Sequence, residues 1–209
     1  NTGNVDLTNL QVVDDIVGVI GTIPFLAAGG TWDLSKTGTA IEGQYSNNGT
    51  ATGALTKTGS GLLFLGSSNR FTGPVAVQGG TVRLGALGAL GPVSASSITI
   101  ADGARIDLNG VAQTGLAYLY TIAGSGPDGR GAIINSNASL VGNSSVRWLR
   151  LTSNATIGAL GNFGGEGNRF DVYNSDGNGF TLTKVGHSSV SMRDASTNLQ
   201  LVVNEGFVY

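Results

Sequence analysis

An all-β chain wound as a solenoid is the fold class this sequence predicts, and three observations carry the prediction. The first is composition: of 209 residues, 35 are glycine, 40% are hydrophobic and only 11% are charged. Such a chain is supplied for short strands and tight turns, yet can bury a real core. The second is periodicity, since apolar residues alternate in short runs bounded by Gly, Asn or Asp, and no stretch keeps a helical apolar stripe for three turns. The third is a repeated corner. "DLSKTGTA" (33–40), "ALTKTGSG" (54–61) and "TLTKVGHS" (181–188) share L-[ST]-K-[TV]-G, and the three lysines of the protein, Lys36, Lys57 and Lys184, all stand in its third slot.

Taken in order, residues 1–30 match the repeat least and are expected to form a cap or atypical rungs. Within them "IVGVIGTIPFLAA" (16–28) is 13 residues long and contains Pro24, against the ~20 residues a membrane-spanning helix requires. It reads as a pair of buried strands or a cap, with an interface to another chain as the alternative. Residues 31–209 are expected to form the solenoid proper, with the best copy of the repeat at 54–85 and a degenerate one at 181–209. The best copy runs apolar strand, Asn-bearing corner, strand, glycine, strand, and "SVSMRDASTNLQLVVNEGFVY" follows the same plan. Between them, Ile98 with Ile100 and Ile106 with Leu108 flank an Asp102-Gly103 hinge. Val146, then Trp148 or Leu149, then Leu151 and Ile157 flank Ser153-Asn154.

An antiparallel sandwich would show long strands joined by two-residue Asn-Gly turns rather than a recurring lysine-glycine corner. The interval from Lys57 to Lys184 is close to six times that from Lys36 to Lys57, so the corners fall near multiples of one period. That spacing favours a parallel β-helix of about ten short rungs, a rod on the order of 50 Å long at about 4.8 Å per rung. Corner glycines would supply positive φ. Corner Asn and Ser would bond local backbone or stack. The lysines are expected to mark the outside of each turn.

The residues "LTKTGSGLLFLGSSNRFTGPVAVQGGTVRLG" (55–85) closely resemble the autotransporter-associated β-strand repeat, LxKxGxGxLxLxGxNxYxGxTxVxxGxLxLG. Phe71 takes the aromatic slot, Thr72-Gly73 the turn and Gly80 the late glycine. "IAGSGPDGRGAIINSN" (122–137) and the last copy follow more loosely. The resemblance implies a right-handed parallel β-helix passenger region of a bacterial surface or secreted protein, with a mostly structural role. It brings no catalytic residues with it. The repeat-defining positions are Lys36, Gly38, Lys57, Gly59, Lys184 and Gly186.

A net charge of −2 offers no basic footprint for nucleic acid or an anionic membrane surface. The absence of cysteine excludes disulfides, thiolate-bound zinc and a thiol nucleophile. No Walker loop is present, because Lys57 precedes Gly59 and Gly61 instead of following the last glycine. His187 is the one histidine, and without a G-x-S-x-G elbow it reads as a corner substitution. Pairs of carboxylates could do acid and base work in a polysaccharide-cleaving β-helix: Asp14 with Asp15, Asp102 with Asp107, Asp171 with Asp176. Turn chemistry accounts for Asp102, Asp171 and Asp176 without catalysis. Asn174, Asp176 and Asn178 begin like a calcium loop, but Val185 stands where its closing glutamate belongs.

Asn48, Asn137, Asn143 and Asn154 head N-x-[ST] triplets, which matter only in a source that glycosylates them. Trp32, Trp148, Tyr118 and Tyr120 either stack on sugar or pack in core and cap, with packing the commoner use. The sequence therefore predicts a non-catalytic extracellular scaffold, stalk or fibre segment of the bacterial cell surface, with no cofactor or metal. Two alternatives stand beside it. One is a filament subunit stacking end to end on itself through Phe207, Val208 and Tyr209. The other is an adhesin or a polysaccharide-binding or -cleaving β-helix whose partners are cell-surface glycans.

Overall fold

The computed structural model describes residues 7–14, 18–27, 31, 43–45, 54–69, 73–92, 97–113, 116–137, 144–161 and 169–209. The chain divides into two units, Asn1–Thr39 and Ala40–Tyr209. In the first, β1 (Leu7–Asp14) pairs antiparallel with β2 (Gly18–Leu26), Leu7 opposite Leu26 and Asp14 opposite Gly18. The stretch 16–28 thus contributes one strand of a hairpin, where the sequence suggested a strand pair or a cap. Ile23 is buried and Phe25 is half exposed. Lys36 and Gly38 lie outside the described residues, as do Asp15 and Trp32.

Among the described residues of the second unit every strand pairing is parallel, so strands one turn apart stack above one another instead of folding back. One column contains β4 (Leu55–Lys57), β6 (Val75–Val77), β8 (Ser97–Ile100), β10 (Leu119–Gly124), the first half of β12 (Ser144–Ala159), β13 (Phe170–Asp176) and β16 (Ser196–Thr197). A second contains β3 (Gly43–Tyr45), β5 (Leu62–Leu65), β7 (Gly80–Leu84), β9 (Ala104–Asp107), β11 (Ile133–Asn135), the second half of β12, β14 (Thr181–Val185) and β17 (Gln200–Val203). This is the β-solenoid that the repeated corner predicts.

The stacking is in register, which is what builds the core. Leu55, Val75, Ile98, Tyr120, Leu149, Ser175 and Ser196 occupy one ladder position of the first column. Leu63, Val82, Ile106, Ile133, Ile157, Lys184 and Val203 occupy one of the second. Val82, Ile106, Ile133 and Ile157 are wholly buried, and each such side chain stabilises the fold by about 1.5–3 kcal/mol. Period-2 alternation puts every second residue on this inner stack, as in Val75 and Val77 around the half-buried Ala76.

The first column spans six steps from Leu55 to Ser196, so the unit makes about six turns, fewer than the ten expected. Most of the difference is chain that lies outside this ladder, since residues 1–39 form a separate unit whose strands pair antiparallel. Turn length adds to it. The step from Leu55 to Val75 is the shortest, whereas the step from Tyr120 to Leu149 takes nearly half as much chain again, and that from Leu149 to Ser175 is the next longest. A third column begins within these longer turns, in which the start of β12, the start of β13, β15 (Ser189–Met192) and β18 (Phe207–Val208) stack Ser144, Phe170, Val190 and Val208.

Candidate functional site

The repeat motif positions a buried cation at a corner. Lys57 ends β4 in register with Val77, Ile100, Ile122 and Leu151, so its aliphatic stem takes a rung of the apolar stack. Its Nζ turns along the corner and donates to the carbonyls of Thr58 (2.6 Å), Gly59 (2.8 Å) and, one turn on, Gly79 (3.1 Å). Only 3% of the residue is exposed. Three donors meet three carbonyls, which satisfies an ammonium that burial would otherwise penalise. Burial holds the Lys57 amine below its ordinary range.

Lys184 repeats the arrangement. It sits in register with Ile157 and Val203, fully buried, and its Nζ donates to the carbonyls of Gly186, Ser188 (2.5 Å) and Glu205 (2.7 Å). Gly59 (φ 70°) and Gly186 (φ 84°) make the same left-handed bend two residues after each lysine. Burial pushes the Lys184 amine down to about 8, with the nearby Glu205 charge acting in the opposite direction. Glu205 also accepts the Gly186 N–H through Oε2 at 2.9 Å. The expectation that these lysines mark the outside of the turns is therefore overturned for both described copies. A long stem lets a charged head reach polar atoms while the chain carbons stay in the core.

Of the carboxylates proposed for acid and base work, Asp107, Asp171 and Asp176 have partners within the fold. Asp107 is wholly buried and accepts from Arg83 Nε (2.8 Å), Ser136 Oγ (2.6 Å), Ser136 N (3.1 Å) and Asn109 N (3.0 Å). Arg83 is its ladder neighbour one turn back. Asp102 lies exposed at the turn with Gly103. Asp171 is buried against Arg169 (2.5 Å) and within 3.7 Å of Arg193. The Arg105 guanidinium bonded to Asp128 holds that carboxyl below its usual range, against the opposing effect of burial. Asp14 ends β1.

Asn174 and Asp176 project from β13, and Asn178 (φ 50°) turns back to donate its N–H to Asp176 Oδ1 at 3.0 Å. Arg150 Nε lies 3.5 Å from the other oxygen of Asp176. The Asn174 amide faces Arg147 O and Asp194 Oδ2, each at 3.5 Å. His187 is exposed at the Lys184 corner. Among the described residues no three His, Cys, Asp or Glu side chains are grouped to hold a metal ion. Asn154 Oδ1 accepts from Thr181 N at 3.0 Å, while Asn48 and Asn143 lie outside the described residues.

The aromatic candidates separate. Tyr118 and Tyr120 are buried edge to face, centroids 6.2 Å apart, with Tyr118 Oη donating to Gly91 O. Burial pushes the Tyr118 phenol up to about 12. Trp148 instead faces outward and is 47% exposed. Leu149 and Leu151 are inside and Arg150 outside, which resolves the Trp148-or-Leu149 ambiguity left by the sequence. Beside it, Tyr173 lies between Arg147 (4.9 Å to the ring centroid) and Arg193 (5.8 Å), a sandwich that the sequence reading missed and whose one signal is ladder register. Phe207 and Val208 form β18 against β15, leaving Phe207 55% and Tyr209 60% exposed.

Comparison with known proteins finds a repeat family that resembles one stretch of this geometry. Residues 55–84, from β4 through β7 and so including the Lys57 corner, match the family described as the passenger-associated-transport-repeat. Over 86 residues the chain is 42% identical to the adhesin BmaC autotransporter of Brucella suis biovar 1 (strain 1330), a match covering 41% of this chain and 2% of that protein. No solved structure matches the chain.

Proposed function

Since this chain carries the autotransporter-associated repeat, we propose that it serves as a non-catalytic structural segment of a bacterial passenger, a rigid scaffold displayed at the cell surface or in the medium. The observation that carries this reading is the six-step ladder of parallel strands whose inner stack is buried from Val75 through Ser175, a construction in which each turn is held by its neighbours. The corner lysines, Asp107 and Asp171 support it, because their polar groups are committed to carbonyls and guanidinium groups of the fold. The test exposes intact cells displaying the full-length passenger to protease, and incubates the purified chain with pectin, alginate and xylan. Surface cleavage without new polysaccharide ends is expected. Polysaccharide cleavage lost in Asp102→Asn contradicts the reading.

A second reading is end-to-end stacking of copies into a filament through the rung of β17 and β18. Leu201, Val202, Val203, Phe207 and Tyr209 are all at least 39% exposed there. Either a further turn of the same passenger or a stacked copy would cover them and pair β17 and β18. Electron microscopy distinguishes the two: rods far longer than about 30 Å, the length of six 4.8 Å steps, support the filament. A monodisperse single-chain particle argues against it.

A further inference from the structure

Trp148 lies on a face that the scaffold role does not use. It projects from the first half of β12 with Leu119 at its ladder position one turn back and Asn174 one turn on. The adjacent outward ladder runs Thr121, Arg150, Asp176, Thr197. Between these two ladders lies a cleft of about 170 Å³, lined among others by Leu119, Trp148, Arg150, Asn174, Asp176 and Thr197. This combines a flat, half-exposed aromatic ring with a guanidinium two residues on along the same strand, an amide and a carboxylate one rung on, and a hydroxyl two rungs on.

That mixture selects among ligand classes. A sugar ring has a C–H face, which stacks on an aromatic surface, and a rim of hydroxyls that both donate and accept. Asn174 and Thr197 can answer in either sense, Arg150 only donates and Asp176 only accepts. A peptide strand would need an open sheet edge, but this part of β12 is paired on both sides, to β10 and to β13. Nucleic acid would need a surplus of cations, whereas Arg147, Arg150, Arg169 and Arg193 here are nearly balanced by Asp171, Asp176 and Asp194. The platform is also held rigid, by the ladders beneath it and by the Arg147–Tyr173–Arg193 stack beside it. Little ordering remains to be done on binding.

We propose that this face of β12 and β13 is a carbohydrate-binding platform, taking one ring of an oligosaccharide with its C–H face on Trp148 and its hydroxyls toward Asn174, Asp176, Arg150 and Thr197. It goes beyond the scaffold role and does not depend on it. The chain has two tryptophans, so Trp32→Phe makes Trp148 the sole indole fluorophore. The full chain carrying that change is titrated with chitohexaose, cellohexaose, maltohexaose and tri-galacturonate. A saturable change in Trp148 emission with at least one of them is expected. In the otherwise native chain, Trp148→Ala should weaken that binding, read by titration calorimetry, by about tenfold, the scale of one lost stacking contact. Asn174→Ala should weaken it less, and both variants should keep the native circular dichroism spectrum. No saturable response to any of the four sugars overturns the proposal, as does an affinity unchanged in both variants. Binding of an unstructured peptide at Trp148 in place of the sugars also overturns it.

Discussion

The Lys57 and Lys184 corners share a sequence motif and a hydrogen-bonding pattern, yet they occupy different places in the coil. Lys57 joins the first column to the second, β4 to β5, whereas Lys184 joins the second to the third, β14 to β15. The motif therefore encodes a kind of corner and not a particular face. What it requires is local: an apolar rung for the lysine stem, a left-handed glycine two residues on, and a carbonyl one turn further along the coil. Their settings differ as well. Thr58, Gly59 and Ser60 around Lys57 are exposed, whereas Gly186, Ser188 and Ser189 around Lys184 are buried. Where the first corner has Gly79, the second has Glu205, whose carboxylate binds the corner N–H as its carbonyl binds the lysine.

The largest effect should come from closing the space these corners use. Gly80 follows Gly79 with φ 66°, and a methyl group there would run into the carbonyl oxygens of Gly59 and Gly61. Gly80→Ala should cost about 3 kcal/mol, summing left-handed strain and overpacking, read as a shift in the urea midpoint. Next are the lysines. Lys184→Met keeps the stem but strands three buried carbonyls and should cost about 2–3 kcal/mol. Lys57→Met should cost about 1–2 kcal/mol, since water reaches its exposed loop. Equal losses would show that burial of the corner does not set its strength.

The same comparison has a pH signature. Lys184 titrates at about 8 in the fold against an ordinary 10.5. Between these values the unfolded chain holds a proton that the folded chain has released, so stability should rise with pH there and stay flat below it. The melting temperature of the native chain relative to Lys184→Met should accordingly rise from pH 8 to 10.5. A curve that stays flat to about pH 10 and falls only above it would mean that the carbonyl cage outweighs burial. The smallest effect is expected at Trp148→Ala, within about 0.5 kcal/mol as for an exposed residue without structural partners.

The solenoid was legible in the sequence because corners and short alternating runs are local features. The number of turns was not, because a fixed period cannot show that residues 1–39 form a separate unit with an antiparallel hairpin, or that the turn from Tyr120 to Leu149 takes nearly half as much chain again as the turn from Leu55 to Val75. Register also decides who meets whom: Arg83 and Asp107 are far apart in sequence and look unrelated until one turn is known to span that interval. Asp107 thus read as half of an acid pair when it is a saturated structural carboxylate. The lysines were misplaced for a different reason, since a charged residue was assigned to solvent although its four-carbon stem fits an apolar rung. Trp148 was ambiguous because β12 changes columns within a single strand, which breaks the alternation that would have pointed it outward.

The central claim is that Lys57 and Lys184 are internal corner posts of the coil. Amine-reactive acetylation of the native full-length chain, read lysine by lysine by mass spectrometry against the urea-unfolded chain, tests it most directly. Lys57 and Lys184 should be strongly protected when folded, Lys184 more than Lys57, and both should react freely once unfolded. Folded-state reaction of both at the unfolded rate would place them on the outside of the coil and contradict the account.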